Sequence, residues 1–308
     1  MRVCPPFGFL NFHKPLHWTS HDCVAFIRRS LRERTVGHGG TLDPLATGVL
    51  PIAVGKATRL LPYLPKEKQY FAQVRLGQRT ETDDLAGAVL TEQDASAVTL
   101  ATVEALLPEF LGQIQQIPPK YSAIQVNGKR LYELARAGIE CPVPCRQVEI
   151  HSLTLSDWQP GAQPEFSLTV ICGEGTYIRA LARDIGDRLG VGATLAGLVR
   201  QRSGGMAIEQ SVTTADLEQY LVNHTPIPFL PVSQVLTHYP TISLDNPTTQ
   251  RWHQGQRLRL PELPLGLAQV QTEMGQSLGM GEVTSEPEGT VLRPRVVLPL
   301  AVRDSLSN

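Results

Sequence analysis

Residues 37–51 read GHGGTLDPLATGVLP, and Asp43, between Leu42 and Pro44, is the one carboxylate among them. A proline pushes the residue before it out of the helical region, so Asp43 is expected in extended, held backbone. Gly37, Gly39 and Gly40 leave the preceding chain free to take positive φ or to approach another molecule closely. Taken alone, these residues leave three readings open: an acid capping a helix, a glycine nest for an anion, or a catalytic carboxylate aimed at a ligand. An acid serving only solubility needs no such constraint.

Outward from this loop the pattern alternates helices and strands. TSHDCVAFIRRSLRER opens with Thr19 and Asp22 at capping-box spacing, and Val24, Ile27 and Leu31 form a buried stripe. Arg28, Arg29, Arg32 and Arg34 lie mainly off it. VLPIAVG predicts a buried strand and KATRLLPYL a short helix. KQYFAQVRLGQ alternates with period two, with Tyr70 near its start. Residues 99–112 are expected to be helical, then Asn127-Gly128 marks a hairpin before a short helix ending at Gly138. EFSLTVIC predicts a strand; a glycine turn leads into a helix with stripe Ile178, Leu181, Ile185 and Leu189, stopped at Gly190. Arg179 stands one position off that stripe, so the core does not account for it. The prolines between 226 and 247 suggest a linker, and the last ~60 residues predict a small β barrel.

At 308 residues, with 42% hydrophobic and 19% charged residues, the composition is that of a globular protein of about two domains. The net charge of −1 hides an asymmetry: residues 1–80 carry 12 Lys/Arg against 4 Asp/Glu, and residues 81–308 carry 16 against 25. Clustered cations beside the Asp43 loop suit either a solvated helix face or an anionic partner. No apolar run reaches the ~20 residues of a membrane span. MRVCPPFGFLNFHKP is too short in apolar residues for a signal peptide, so no membrane partner and a cytoplasmic location are expected. Five cysteines without a CxxC, with Cys141 and Cys145 spaced CxxxC near His151, do not supply a four-ligand zinc set, so no metal is expected.

Four segments in order, GHGGTLDPLATGVLPIAVGKATR, KQYFAQVRLGQRTET, IPPKYSAIQVNGKRLYELARAG and GTYIRALARDIGDRLG, resemble the bacterial TruB-type tRNA pseudouridine synthases. The likeness runs from about residue 9 to residue 205. It implies an α+β pseudouridine-synthase fold: a mixed, largely antiparallel central sheet flanked by helices, and a small C-terminal β-barrel-like, divergent PUA-like domain. On that basis residues 1–230 are the expected catalytic domain with an RNA-binding insertion at about 113–140. Residues 231–247 are the linker and 248–308 the PUA-like domain. The implied reaction converts uridine-55 of the tRNA T loop to pseudouridine, without a cofactor. By the same resemblance Asp43 is the catalytic carboxylate, Arg179 its ionic partner, and Tyr70 the base-stacking residue that assists the final proton removal. His38 fills the stack left by the everted nucleotide, and Leu198 lines the uracil pocket. Lys14, Gly39, Gly40, Thr41, Tyr177, Lys129 and Arg130 are the remaining expected substrate contacts, with Lys14, Lys129, Arg130 and the N-terminal arginines on phosphates. The expected partner is the tRNA T stem-loop, with no obligatory protein partner, and the expected state is a monomer.

Two other functions fit parts of this pattern. A guide-RNA-dependent synthase shares the aspartate loop, but such proteins often carry Lys-rich tails, which LAVRDSLSN is not, and the insertion at 113–140 is of bacterial type. A non-catalytic RNA-folding protein has no use for Asp43, Tyr70 and Arg179 together. The sequence also departs from the family pattern. KPLHWTS has His17 where glycine is usual, Gln125 follows YSAI where lysine is common, and the C-terminal 60 residues are divergent.

Overall fold

The structure is a computed structural model describing residues 7–122, 124–126, 128–131, 137, 139, 141–260 and 263–299. The chain forms two compact units, the first from residues 1–44, 48–65 and 204–308, the second from 45–47 and 66–203.

The first unit begins with strand β1 (Gly8–Lys14), helix α1 (Ser20–Leu31), and strands β2 (Val36–His38) and β3 (Ala46–Val54). Both β1 and β2 run antiparallel to β3. The Thr19–Asp22 capping box is present, satisfying amide donors at the start of α1 from both sides. Alternate residues of β1 and β3 enter two cores. Leu10, Phe12, Leu50 and Ile52 pack with Cys23, Val24 and Ile27 of α1. Phe9, Val49 and Ala53 pack with Leu60, Met280, Val296 and Leu298. Burial on both faces explains why VLPIAV reads as a continuous apolar run instead of an alternating one. A 3-10 helix, Gly55–Tyr63, stands where a short helix was expected.

The second unit contains strands β4 (Lys68–Leu76), β5 (Gln78–Thr80) and β6 (Val89–Glu92), helix α2 (Leu100–Leu106), and strands β7 (Gly112–Gln116), β8 (Gln125–Val126) and β9 (Lys129–Arg130). Strands β10 (Arg146–Gln159) and β11 (Glu165–Cys172), helix α3 (Ile178–Arg188) and strand β12 (Ala193–Ser203) complete it. Strands β7, β10, β11, β4 and β12 lie side by side in that order, every pairing antiparallel. Helix α3 packs on β12. Its Gly186 is required there: a Cβ would lie 2.2 Å from the Ala193 nitrogen, with the Val191 and Gly192 amides donating to its carbonyl. The helical region expected over 99–112 is shorter, giving way to a 3-10 turn (Leu107–Phe110) and then β7. The β8–β9 hairpin lies where Asn127-Gly128 predicts it, and Gly128 has φ 80°. The short helix expected to end at Gly138 lies outside the described residues.

The chain then returns to the first unit with β13 (Met206–Ala207), α4 (Thr214–Val222), α5 (Val232–Val235), β14 (Thr241–Leu244), α6 (Asn246–His253) and β15–β18 (Leu258–Arg259, Gly266–Thr272, Ser277–Glu286, Gly289–Val297). Strands β14, β16, β17, β18 and β15 form a five-stranded sheet in that order, with β14 parallel to β16. It encloses Trp252, whose Nε1 donates to the Leu278 carbonyl at 2.9 Å. The stretch 231–247, read as a linker, carries α5 and β14. Its prolines stand at element boundaries: Pro231 caps α5, Pro240 precedes β14 and Pro247 lies in the first turn of α6. Among the described residues no helix is long and apolar enough to cross a membrane.

Candidate active site

The Asp43 loop is built from its flanks inward. β2 delivers His38 to Gly39, whose amide donates to the Pro51 carbonyl at 2.8 Å. A Cβ on Gly39 would meet a terminal methyl of Leu64 at 2.6 Å and the Pro51 ring at 3.3 Å, while Gly40 has φ 108°. Leu42 is buried, and the hydroxyl of Ser20 accepts from its amide (2.9 Å) and donates to its carbonyl (3.1 Å). On the other side, the Pro44 carbonyl accepts from the His17 amide (2.8 Å) and from Lys14 Nζ (3.3 Å). Asp43 is therefore half-buried between two backbone groups that are each held by groups outside the loop. Thr41 is exposed beside it.

One expectation changes here. Lys14 was expected to meet RNA phosphates, yet it has no exposed surface, and its ammonium donates to the carbonyls of Pro15, Trp18 and Pro44. A buried ammonium satisfied in this way is a brace for the loop. His17, which stands where glycine is usual, adopts φ 65°, left-handed backbone that costs histidine more than it would cost glycine. His38 is half-buried, its ring edge-on to His21 of α1 with centroids 5.6 Å apart.

In the second unit, Tyr70 is 6% exposed on β4, directly between Val170 of β11 and Arg200 of β12. Leu198 lies opposite Ala72, two residues along the same face. β12 carries register shifts at Leu195/Gly197 and at Arg200/Arg202, so a pair of β-bulges brackets the segment bearing Leu198 and Arg200. Bulges re-aim side chains and gather beside functional sites. Arg200 is fully buried.

Helix α3 contributes Tyr177 and Arg179. The Tyr177 backbone is clasped by Gln116, which accepts from its amide at 2.8 Å and donates to its carbonyl at 3.0 Å. Arg179 is 4% exposed, buried although it stands off the apolar stripe of the helix. Its guanidinium donates to the carbonyls of Thr82 and Tyr121, both at 2.9 Å, and lies 3.7 Å from Asp84. One turn on, Arg183 binds Asp83 at 2.8 Å and donates to the Ile117 carbonyl. Burial pushes the Asp83 carboxyl above the usual range, against the pull of Arg183 and Arg179. Burial also raises the Cys172 thiol to about 11, leaving it neutral at pH 7.

Of the residues singled out from sequence, Asp43, Thr41, Gly39, Gly40, His38 and Lys14 belong to the first unit. Tyr70, Tyr177, Arg179, Leu198, Lys129 and Arg130 belong to the second. Lys129 and Arg130 form β9, paired with Val126 and Gln125. Sequence reasoning missed Ser20, whose buried hydroxyl holds Leu42, and Arg200. Strand alternation from Leu198 would have placed Arg200 on the Tyr70 face. Among the described residues no group of three or more His, Cys, Asp or Glu is arranged to hold a metal ion.

A constrained carboxylate loop, a buried tyrosine face and a helix bearing a buried arginine are the parts expected of an RNA-modifying isomerase. Residues 28–178 match the N-terminal domain of the TruB family pseudouridylate synthases, residues 179–228 the tRNA pseudouridylate synthase B C-terminal domain, and residues 240–298 the C-terminal region of pseudouridine synthase II TruB. The chain belongs to the TruB family. It is 62% identical over 294 residues to a tRNA pseudouridine synthase B of Synechocystis sp., covering 95% of this chain and 99% of that one. It is 51% identical to the protein of the same name from Gloeothece citriformis, over 94% and 97%. Among solved structures, an archaeal box H/ACA sRNP complex of Nop10 and Cbf5 superimposes with TM-score 0.70 at 26% identity, over 96% of this chain and 87% of that one. A chain of an H/ACA RNP bound to a substrate RNA containing 2'-deoxyuridine gives 0.73 at 24% identity, over 95% and 86%, a likeness of fold.

Proposed function

We infer that this chain isomerises uridine-55 to pseudouridine in the T loop of tRNA. The reaction breaks C1′–N1, turns the base within the site, forms C1′–C5 and transfers the C5 proton away while N1 gains one. Atoms and electrons balance without a redox partner. The routes open to an enzyme are stabilising charge at C1′, covalent attack, and removal of the 2′ proton, and each needs one positioned carboxylate. The observation that carries this reading is the double clamp on Asp43: Ser20 holds the residue before it, and Lys14 with the His17 amide holds the residue after it.

In this reading Arg179 is the ionic partner that orients Asp43, Tyr70 stacks on the target base, and Leu198 lines the pocket beside it. The target nucleotide must leave its stack to be reached, at a cost of a few kcal/mol of unstacking, and His38 occupies the vacated position. Gly39, Gly40, Thr41 and Tyr177 contact the substrate around the flipped base, while Lys129 and Arg130 meet the T stem backbone. The protein acts as a monomer, without an obligatory protein partner, in the cytoplasm.

The test uses a tRNA transcript carrying 5-tritiated uridine. Wild type should release tritium in proportion to pseudouridine formed, and a transcript with cytidine at position 55 should release none. Asp43→Asn should bind the transcript with near-wild-type affinity and release nothing. Substantial turnover by Asp43→Asn would end the assignment.

A further inference from the structure

Three consecutive residues after β5 are tied to the chain that leaves β7. The Glu81 carboxylate accepts from the Tyr121 hydroxyl at 2.8 Å. The carbonyls of Thr82 and Tyr121 both accept from the Arg179 guanidinium at 2.9 Å. Asp83 and the Ile117 carbonyl share the Arg183 guanidinium, at 2.8 Å and 2.7 Å. Arg179 and Arg183 stand one turn apart on α3, so one helix bridges the same two segments twice.

Neutralising a charge does not explain the second bridge. Arg183 already has an acid beside it on its own helix, since Asp184 accepts from its Nε at 2.9 Å. The contacts with Asp83 and Ile117 are additional, and both cross to other segments. Asp83 sits in left-handed backbone, φ 60°, with its carbonyl accepting from the Leu195 amide at 3.1 Å. Arg183 and Asp83 are both mostly buried. A buried ion pair adds little net stability over apolar side chains of similar volume, because desolvation offsets the attraction. What this pair supplies is geometry: the planar fork of an arginine fixes two acceptors relative to each other. The Glu81–Tyr121 bond lies at the surface, where water competes for both partners, so the Arg183 link sets the spacing of the segments.

We propose that Arg183 is a positioning residue for Arg179: by locking Asp83 to the Ile117 carbonyl it fixes the two segments whose carbonyls aim the Arg179 guanidinium. Arg179 takes one of these carbonyl acceptors from each segment, so a change in their separation turns its planar head or releases it. The proposal rests on the reading of Arg179 as the residue that orients the reactive carboxylate, and adds the group that orients Arg179 itself.

Two measurements on the full chain test this. The first compares single-turnover tritium release from a 5-tritiated tRNA transcript with affinity for the same transcript. Arg183→Met keeps an apolar stem and loses the fork. Its rate should fall roughly 10- to 100-fold, the upper value being the cost of a displacement of about 1 Å, with affinity within about twofold of wild type. Asp83→Asn, which tolerates the left-handed backbone, should slow the reaction by a smaller factor. The double variant should be no slower than Arg183→Met, because both changes remove one link. The second measurement records side-chain 15N spectra of arginine-labelled protein, with the Arg179 signal assigned by its loss in Arg179→Lys. A held guanidinium gives separate Nη resonances, which should merge in Arg183→Met as its rotation speeds up. If Arg183→Met does not fold, Asp83→Asn carries both measurements. A rate within about twofold of wild type would overturn the proposal. So would a slower rate with the Arg179 resonances unchanged, the mark of an ion pair that serves stability alone. If the wild-type chain released no tritium, the assigned reaction would fail, and the resonances would still decide whether Arg183 holds Arg179.

Discussion

His17 shows how a single backbone angle records a design choice. Its φ of 65° lies in the left-handed region, and its amide is one of the two donors on the Pro44 carbonyl next to Asp43. A left-handed non-glycine residue costs on the order of 1 kcal/mol. His17→Gly should therefore raise stability to urea unfolding by roughly 0.5–1 kcal/mol, the gain being reduced by the looser unfolded chain. A loss of stability would mean that the imidazole makes a contact worth more than the angle costs. At this scale the sequence was informative about identity and weak about burial. Asp43 could be singled out because a proline and glycines surround it. The brace formed by Lys14 and Ser20 could not, because a lysine meeting three carbonyls and one meeting phosphates have the same letter and the same local pattern.

Helix α3 meets the start of the strand after it at Gly186. The Gly186 Cα leaves 2.2 Å and 2.3 Å from a hypothetical Cβ to the backbone of Ala193 and Gly192, where neither neighbour can swing aside. Gly186→Ala should destabilise by about 2 kcal/mol or more in denaturant unfolding, against the usual helical preference for alanine. A change within 0.5 kcal/mol would show that helix and strand separate easily. Most elements were readable from period and caps: α1 from its box, β4 from alternation, α3 from its stripe. β10 was not. RQVEIHSLTLSDWQ is largely exposed and only weakly patterned, and it becomes a strand because β7 and β11 offer ladders on either side. Tertiary pairing overrides local preference in such cases.

Across the whole molecule, the cationic excess of residues 1–80 looks different in space than along the chain. Lys66, Arg75 and Arg79 are paired with Glu174, Glu165 and Asp187, and Lys14 is buried. What stays outward on α1 and just beyond it includes Arg29, Arg32 and Arg34. If these carry the RNA backbone contacts, replacing all three with alanine should lower the salt slope of tRNA binding by about 2, at roughly 0.7 per contact. A slope equal to that of wild type would assign them to solvation alone. Net charge along the sequence overstated the available field, since ion pairs between distant segments are invisible until the fold brings them together.

The first unit sets a timetable for synthesis. Phe9, Val49 and Leu60 share a core with Met280, Val296 and Leu298, so a ribosome releases the first half of that core long before the second half exists. The second unit, nearly all of it from one intervening stretch, is complete while those early apolar residues still wait for their partners. Translation thus leaves this core of the first unit unfinished until the final strands emerge.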